Sequence, residues 1–348
     1  MRFCVRDLGF NIHRLLLAGI LIVCLFGVPG YLAAAKAAAS FDECSKIDDN
    51  TARLRCYDEI AGRKPEVSAV IMAPQPAREA GRTEPSYLSR KWQLDEESRR
   101  NRFAIMSYRQ NYILPITYNF SQEKQTYESA NPGTEIQEEE VKYQLSLKVK
   151  LWEDILGKNM DLWFGYTQLS FWQLYNTEYS SPYRETNYEP EILLNFRTDL
   201  DIFGIMKSRF IQVGFNHQSN GRGEPLSRGW NRVVANFGFE QDVFNLVLKT
   251  WARIPESADK DDNRDIASYL GYGELWLNTV WKNYHLGLMF RNNLHFDKNR
   301  CSLQFEVSFP MIEHINGYMQ YFGGYGESLI DYNHYSNRVG LGVMLKDW

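Results

Sequence analysis

The chain of 348 residues has only five cysteines and six histidines, and neither recurs at the spacing of a zinc site. It has no glycine-rich loop of the phosphate-cradling kind and no concentrated basic stripe, and its formal net charge is -4. Nicotinamide chemistry, structural zinc and nucleic-acid binding therefore have no support. Long apolar runs are equally scarce. Only residues 15–28 approach one; beyond them no stretch is apolar enough for a transmembrane helix, and mean hydropathy is -0.44. A helical membrane protein is disfavoured.

The one apolar run reads as a targeting segment. Arg2, Arg6 and Arg14 precede or enter it, Gly27 and Pro29 interrupt its end, and small residues follow from Ala33 to Ala39. Residues 1–39 are thus expected to be a signal peptide, cleaved at about 35–39. Residues 40–63 then form a small polar periplasmic segment, where an oxidising compartment allows Cys44 and Cys56 to close a short loop by a disulfide. Residues 64–101 are rich in Pro, Ala, Arg, Glu and Ser and lack periodicity, so they read as a linker, with helix near 94–99.

From residue 102 to 348 the dominant period is two. Tyr143, Leu145, Leu147, Val149 and Leu151 alternate with polar neighbours, as do Leu303, Phe305, Val307 and Phe309. Twelve strands are placed at 103–118, 140–151, 161–175, 189–200, 208–219, 230–240, 243–254, 269–280, 283–292, 300–309, 314–325 and 335–348. Their lengths of roughly ten residues or more suit a tilted membrane-crossing strand. Connections alternate between longer polar loops and tight turns such as Gln241 with Asp242 and Trp281 with Lys282. The expected fold is all-β, a twelve-stranded antiparallel transmembrane β-barrel with a short N-terminal periplasmic extension. A soluble β-sandwich is the competitor, but the strands are long and the aromatics plentiful for one.

One hairpin carries chemistry. Ile211, Val213 and Phe215 share a strand face that continues through His217 and Ser219, and the returning strand places Asn231 on the face of Val233, Ala235 and Phe237. A Gly- and Pro-containing loop between them lets Asn231 stand beside His217. Serine, histidine and an orienting amide are the parts of a nucleophilic triad. The exterior of a membrane barrel is its apolar face, so this triad would lie on the lipid-facing wall and act on a lipid-borne ester. With a periplasmic N-terminus the first strand runs outward, which puts the hairpin tip near the extracellular leaflet. A lumen-facing site would instead use Gln212, Asn216 and Gln218.

His217 to Arg222 with Ser227 to Arg232 resembles the active-site signature of the outer membrane phospholipase A family, and residues 92–100, 166–168, 180–190, 261–263 and 324–332 add further likeness. The resemblance implies a calcium-dependent barrel enzyme that hydrolyses acyl esters of phospholipids and lysophospholipids, dimeric when active and monomeric when idle. It makes Ser219 the nucleophile, His217 the general base, Asn231 its orienting partner and the Gly221 N–H an oxyanion donor. It places calcium on the Arg222 carbonyl oxygen, the Ser227 hydroxyl and Ser180 of the partner subunit, and Gln168 at the dimer interface. Glu224 stands where the family pattern leads one to expect an aspartate that, with Asp262, would offer a second calcium site.

Blander readings stand beside these. A lone His-x-Ser on a strand usually means nothing, Asn231 could serve a loop backbone, and Ser227 could be a turn residue. His285, His295, His314 and His334 lack such neighbours and read as structural or solvated, and the acidic runs 138–140 and 259–262 as loop tips. The rival function is a passive channel, which would need no outward register of His217, Ser219 and Asn231.

Overall fold

The computed structural model describes residues 41–61 and 85–346. The expected signal peptide and residues 64–84 of the expected linker lie outside the described residues. The described chain falls into two units.

In the first, helices α1 (Phe41–Ser45) and α2 (Asn50–Ile60) form a hairpin. Asp49 accepts the Ala52 N–H at 2.7 Å, satisfying a donor that the start of α2 would otherwise leave open. Cys44 and Cys56 are disulfide-bonded, with Cα atoms 5.6 Å apart. A piece this short cannot bury enough apolar surface to hold itself, and the covalent link does part of that work.

The second unit is a closed twelve-stranded antiparallel barrel. Its strands are β2 (Tyr112–Asn119), β3 (Glu139–Trp152), β4 (Met160–Trp172), β5 (Tyr183–Ile202), β6 (Met206–Ser219), β7 (Gly229–Gln241), β8 (Phe244–Ile254), β9 (Gly273–Trp281), β10 (Tyr284–Asn292), β11 (Cys301–Ile312), β12 (Ile315–Tyr325) and β13 (Tyr335–Leu345). Each pairs with its sequence neighbours, and β13 pairs with β2 to close the ring. Closure leaves no edge whose N–H and C=O groups would face hydrocarbon. Among the described residues no helix is long and apolar enough to cross a membrane.

The first stave differs from the single strand expected at 103–118. A short β1 (Ile105–Ser107) pairs with β3, and the chain breaks away from the ladder before β2 begins. The Asn111 side chain bridges the gap, its amide donating to the Ser146 carbonyl at 2.9 Å and accepting the Ser146 N–H at 2.7 Å. A side chain there supplies the bonds that the backbone gives up. A short helix, Ile266–Leu270, likewise replaces the start of the strand expected from 269.

The burial pattern is inverted relative to a soluble protein. Ile113, Leu145, Ile192, Phe215 and Leu341 face outward and are exposed, while Lys142, Lys148, Glu140, Arg184 and Arg338 are buried inside. Alternation therefore sorts apolar side chains to the lipid and ionic ones to the interior. Aromatic pairs flank the wall at opposite strand ends: Tyr118 with Phe120, and Trp281 with Tyr284. Several of these buried charges pair with one another: Arg184 Nε lies 2.6 Å from Glu140, Arg338 2.8 Å from Glu140, and Lys142 2.8 Å from Glu327 in the β12–β13 loop.

Among the described residues, those from Pro85 to Asn101, within the stretch expected as linker, belong to the same unit as the barrel. Helix α3 (Tyr87–Trp92) is capped by Ser86 and carries buried Leu88 and Trp92. Trp92 packs edge-on against Trp163 and Tyr108 and meets Phe210, with centroids 5.6 to 5.7 Å away, all on the inward parity. Arg209 ties the segment down through Asp95 at 2.9 Å. This stretch fills part of the lumen.

Candidate active site

Strands β6 and β7 pair with His217 opposite Asn231 and Ser219 opposite Gly229. His217 Nδ1 lies 2.8 Å from Asn231 Oδ1, and its Nε2 lies 3.0 Å from Ser219 Oγ. With the Nδ1 proton given to the amide oxygen, the Nε2 lone pair is free to take the serine proton. The three residues expected from parity are thus brought together in one hydrogen-bonded chain.

They lie on the outer wall. Val213, Phe215 and Val233, on the same two faces, are 40%, 45% and 53% exposed, whereas the alternate residues Gln212, Asn216 and Asn236 are almost wholly buried in the lumen. Gly229 keeps the cross-strand position open: a Cβ there would sit 3.4 Å from the Ser219 Cβ. A Cβ at that point would lie in van der Waals contact with the Ser219 side chain.

The β6–β7 loop is held from within by Asn220. Its amide donates to the Leu226 carbonyl at 2.8 Å and accepts the Arg228 N–H at 3.0 Å. Gly221 has φ of +63°, the left-handed region that favours glycine, and a Cβ there would meet the Tyr188 ring at 3.2 Å. Arg222 donates to the Tyr183 and Arg184 carbonyls at 2.9 and 2.8 Å, fixing the loop on β5.

A second loop, between β8 and β9, leans on the first at one point and on the start of β7 at two more. Ser227 Oγ donates to the Asp262 carboxylate. Asn263 Oδ1 accepts the Gly229 N–H at 3.0 Å, and Glu256 Oε1 accepts from Asn231 Nδ2 at 2.8 Å. Glu224 is hydrogen-bonded to Asp262, and that carboxyl contact pushes its own carboxyl above the usual range. The structure therefore joins Ser227, Glu224 and Asp262 in one oxygen-rich cluster. Among the described residues no group of three or more His, Cys, Asp or Glu is arranged to hold a metal, so a cation here would depend on hydroxyl and carbonyl oxygens as well.

Ser180 is exposed in the loop after β4, with φ of +60°. Gln168 lies on the outward parity of β4, where it accepts from the Tyr166 hydroxyl at 3.3 Å and donates to Ser170 Oγ at 3.2 Å. Glu256 belongs to no sequence motif, whereas Asn263 lies within the family-like stretch 261–263. The register offered a signal for the first, because Asn231 pairs with Ile254 and the residue two positions on shares that face.

Residues 88–345 match the family model described as Phospholipase A1. Phospholipase A1 of Proteus vulgaris is 41% identical over 250 residues, spanning 71% of this chain and 83% of the relative, and that of Escherichia coli K12 is 40% identical over the same shares. Among solved structures, outer membrane phospholipase A from Escherichia coli superposes with TM-score 0.65 and 38% identity, covering 73% of this chain and 95% of its own. An active-site asparagine-to-alanine mutant of it superposes with TM-score 0.66. The Salmonella typhi outer membrane phospholipase, a dimer with bound calcium, gives TM-score 0.67 at 37% identity, covering 76% and 99%. With the barrel and its lipid-facing hairpin already in place, these likenesses settle the family: the chain belongs to the phospholipase A1 family, enzymes of the outer membrane that hydrolyse phospholipids.

Proposed function

We propose that Ser219, His217 and Asn231 carry the hydrolysis of phospholipid and lysophospholipid acyl esters, at either glycerol position, from the outer leaflet. The observation that carries this reading is the Ser219–His217–Asn231 hydrogen-bond chain on the apolar outer wall. An acyl ester at headgroup depth reaches such a wall without entering the lumen. His217 Nε2 takes the Ser219 proton as Oγ attacks the ester carbonyl; the lysolipid oxygen then leaves with that proton. Water, deprotonated by the same imidazole, releases the fatty acid from Ser219. The Gly221 N–H, carried on its left-handed backbone, is assigned to the oxyanion.

The cofactor is proposed to be calcium. Its fit is supported by the donor chemistry: the Ser227 hydroxyl on Asp262 and the Glu224 carboxyl abutting Asp262 bring two acidic groups together, an arrangement a hard cation relieves. The Arg222 carbonyl and Ser227 would hold it, completed by Ser180 of the partner subunit, with Glu224 and Asp262 forming the second site. Calcium bound there supplies positive charge near the developing oxyanion. Needing a ligand from a second copy makes the dimer the active form and the monomer the idle one, with Gln168 pairing across the interface. Residues 1–39 act as the signal peptide, residues 40–63 remain periplasmic, and the site faces the extracellular leaflet.

The test is release of fatty acid from a short-chain phospholipid with calcium present, comparing Ser219→Ala with the parent. Loss on the order of a thousandfold or more is expected from removing a nucleophile. Release that survives the substitution would remove Ser219 from the mechanism.

A further inference from the structure

We infer that Glu256 is a positioning residue for this chemistry, acting through Asn231 to fix which nitrogen of His217 carries the proton. The inference rests on the triad assignment and extends it by one member. An asparagine side chain has two ends of nearly equal shape and opposite hydrogen-bonding sense. Only one sense is productive: Oδ1 must face His217 Nδ1, so that Nδ1 keeps its proton and Nε2 stays open toward Ser219, as the 2.8 and 3.0 Å contacts place them. Turned over, the amide would donate to Nδ1, drive the proton to Nε2 and leave the imidazole unable to accept from serine. A carboxylate in the triad has no such ambiguity, because both its oxygens accept. An amide needs something to tell its ends apart.

Glu256 Oε1 does this. It accepts from Asn231 Nδ2 at 2.8 Å, and a carboxylate can only accept, so the turned-over amide would present oxygen to oxygen. Being charged, it makes the stronger kind of hydrogen bond. It also sits just past the end of β8, whose Ile254 pairs with Asn231, so the strand ladder sets its reach. Glu256 is partly buried rather than free in solvent, and the Arg253 guanidinium nearby in sequence is engaged with Asp261 at 2.6 Å rather than with Glu256. Glu256 reaches Asn231 rather than Ser219 and is not a catalytic residue.

The experiment compares Glu256→Ala and Glu256→Gln in the parent and in an Asn231→Asp background, in the full chain, at saturating calcium with a short-chain phospholipid. In the parent, Glu256→Ala lowers kcat by about tenfold with KM unchanged, equivalent to about 1.4 kcal/mol. Glu256→Gln, whose carbamoyl oxygen still accepts, stays within about threefold of the parent. In the Asn231→Asp background there is no amide to orient and the two acidic groups repel, so Glu256→Ala costs nothing or raises kcat. As a second readout, 15N shifts of the His217 ring show a single Nδ1–H tautomer in the parent and a mixture in Glu256→Ala.

Unchanged kcat and an unchanged tautomer in Glu256→Ala overturn the inference while leaving the triad intact. An equal loss in both backgrounds also overturns it, since a merely structural role would not depend on what residue 231 is. Failure of the triad itself is seen separately, as hydrolysis that persists in Ser219→Ala, a variant that leaves Glu256 untouched.

Discussion

Replacing Trp92 by alanine probes whether the segment ahead of the barrel is part of the fold or only leads into it. The indole is 5% exposed and sits among Trp163, Tyr108 and Phe210 at centroid distances of 5.6 to 5.7 Å. Truncating a buried aromatic to alanine costs about 3 to 5 kcal/mol. The Lys148 ammonium also lies 3.9 Å over the indole, and losing a desolvated cation–π contact adds about 1 to 2 kcal/mol. The expected loss is thus about 4 to 7 kcal/mol, with Trp92→Phe losing less than half of that because a ring remains. Urea unfolding in detergent micelles, with and without the substitution, measures it directly. A companion measurement in planar bilayers should show larger ion conductance for Trp92→Ala, because α3 fills part of the lumen. A loss below about 1 kcal/mol, or equal losses for the two variants, would refute the packing argument.

Two further outcomes concern pH. Burial alone would raise the Glu327 carboxyl, but Lys142 and Arg338 outweigh it and hold it at about 2. A depressed folded value means the stabilisation is fully present above the ordinary carboxylate range and is lost as pH falls from there toward 2, on the order of 3 kcal/mol. Unfolding midpoints of the parent should therefore drop across that acidic window and those of Glu327→Gln should be flatter; a flat parent profile contradicts the pairing. In the loop cluster, Asp262 raises the Glu224 carboxyl, so a cation taken up there would compete with protons in the acidic range, releasing them and binding more weakly as pH falls. Titration calorimetry in buffers of different ionisation enthalpy should detect that release, and Asp262→Asn should weaken binding by about ten- to a hundredfold; an unchanged Kd speaks against the cluster as a cation site.

Alternation made the barrel legible wherever strands cross hydrocarbon. Leu145, Val149, Phe305 and Val307 face lipid, and their polar neighbours face the lumen, so period two survives intact. The same logic carried His217, Ser219 and Asn231 onto one wall. It failed where the lipid no longer writes the pattern. Strand β5 starts at Tyr183 rather than 189, because Arg184 turns inward to the Glu140 carboxylate, Glu185 turns inward to accept the Ile330 N–H, and no apolar residue marks the alternation there. The break before β2 rests on one amide, Asn111, whose two backbone bonds have no compositional signature. Helix α3 hid in a polar stretch: only Leu88 and Trp92 betray it, and their partners come from β4 and β6, more than a hundred residues away for Phe210. Glu256 stayed out of view because a loop acid looks like any solvated charge until the ladder shows what stands beside it.

The β8–β9 loop bears on Asn231 through Glu256, on Gly229 through Asn263 and on Ser227 through Asp262. One short surface stretch therefore works as a fuse. A break or an insertion between Glu256 and Asn263 would release Asn231, Gly229 and Ser227 together while leaving every wall strand in place.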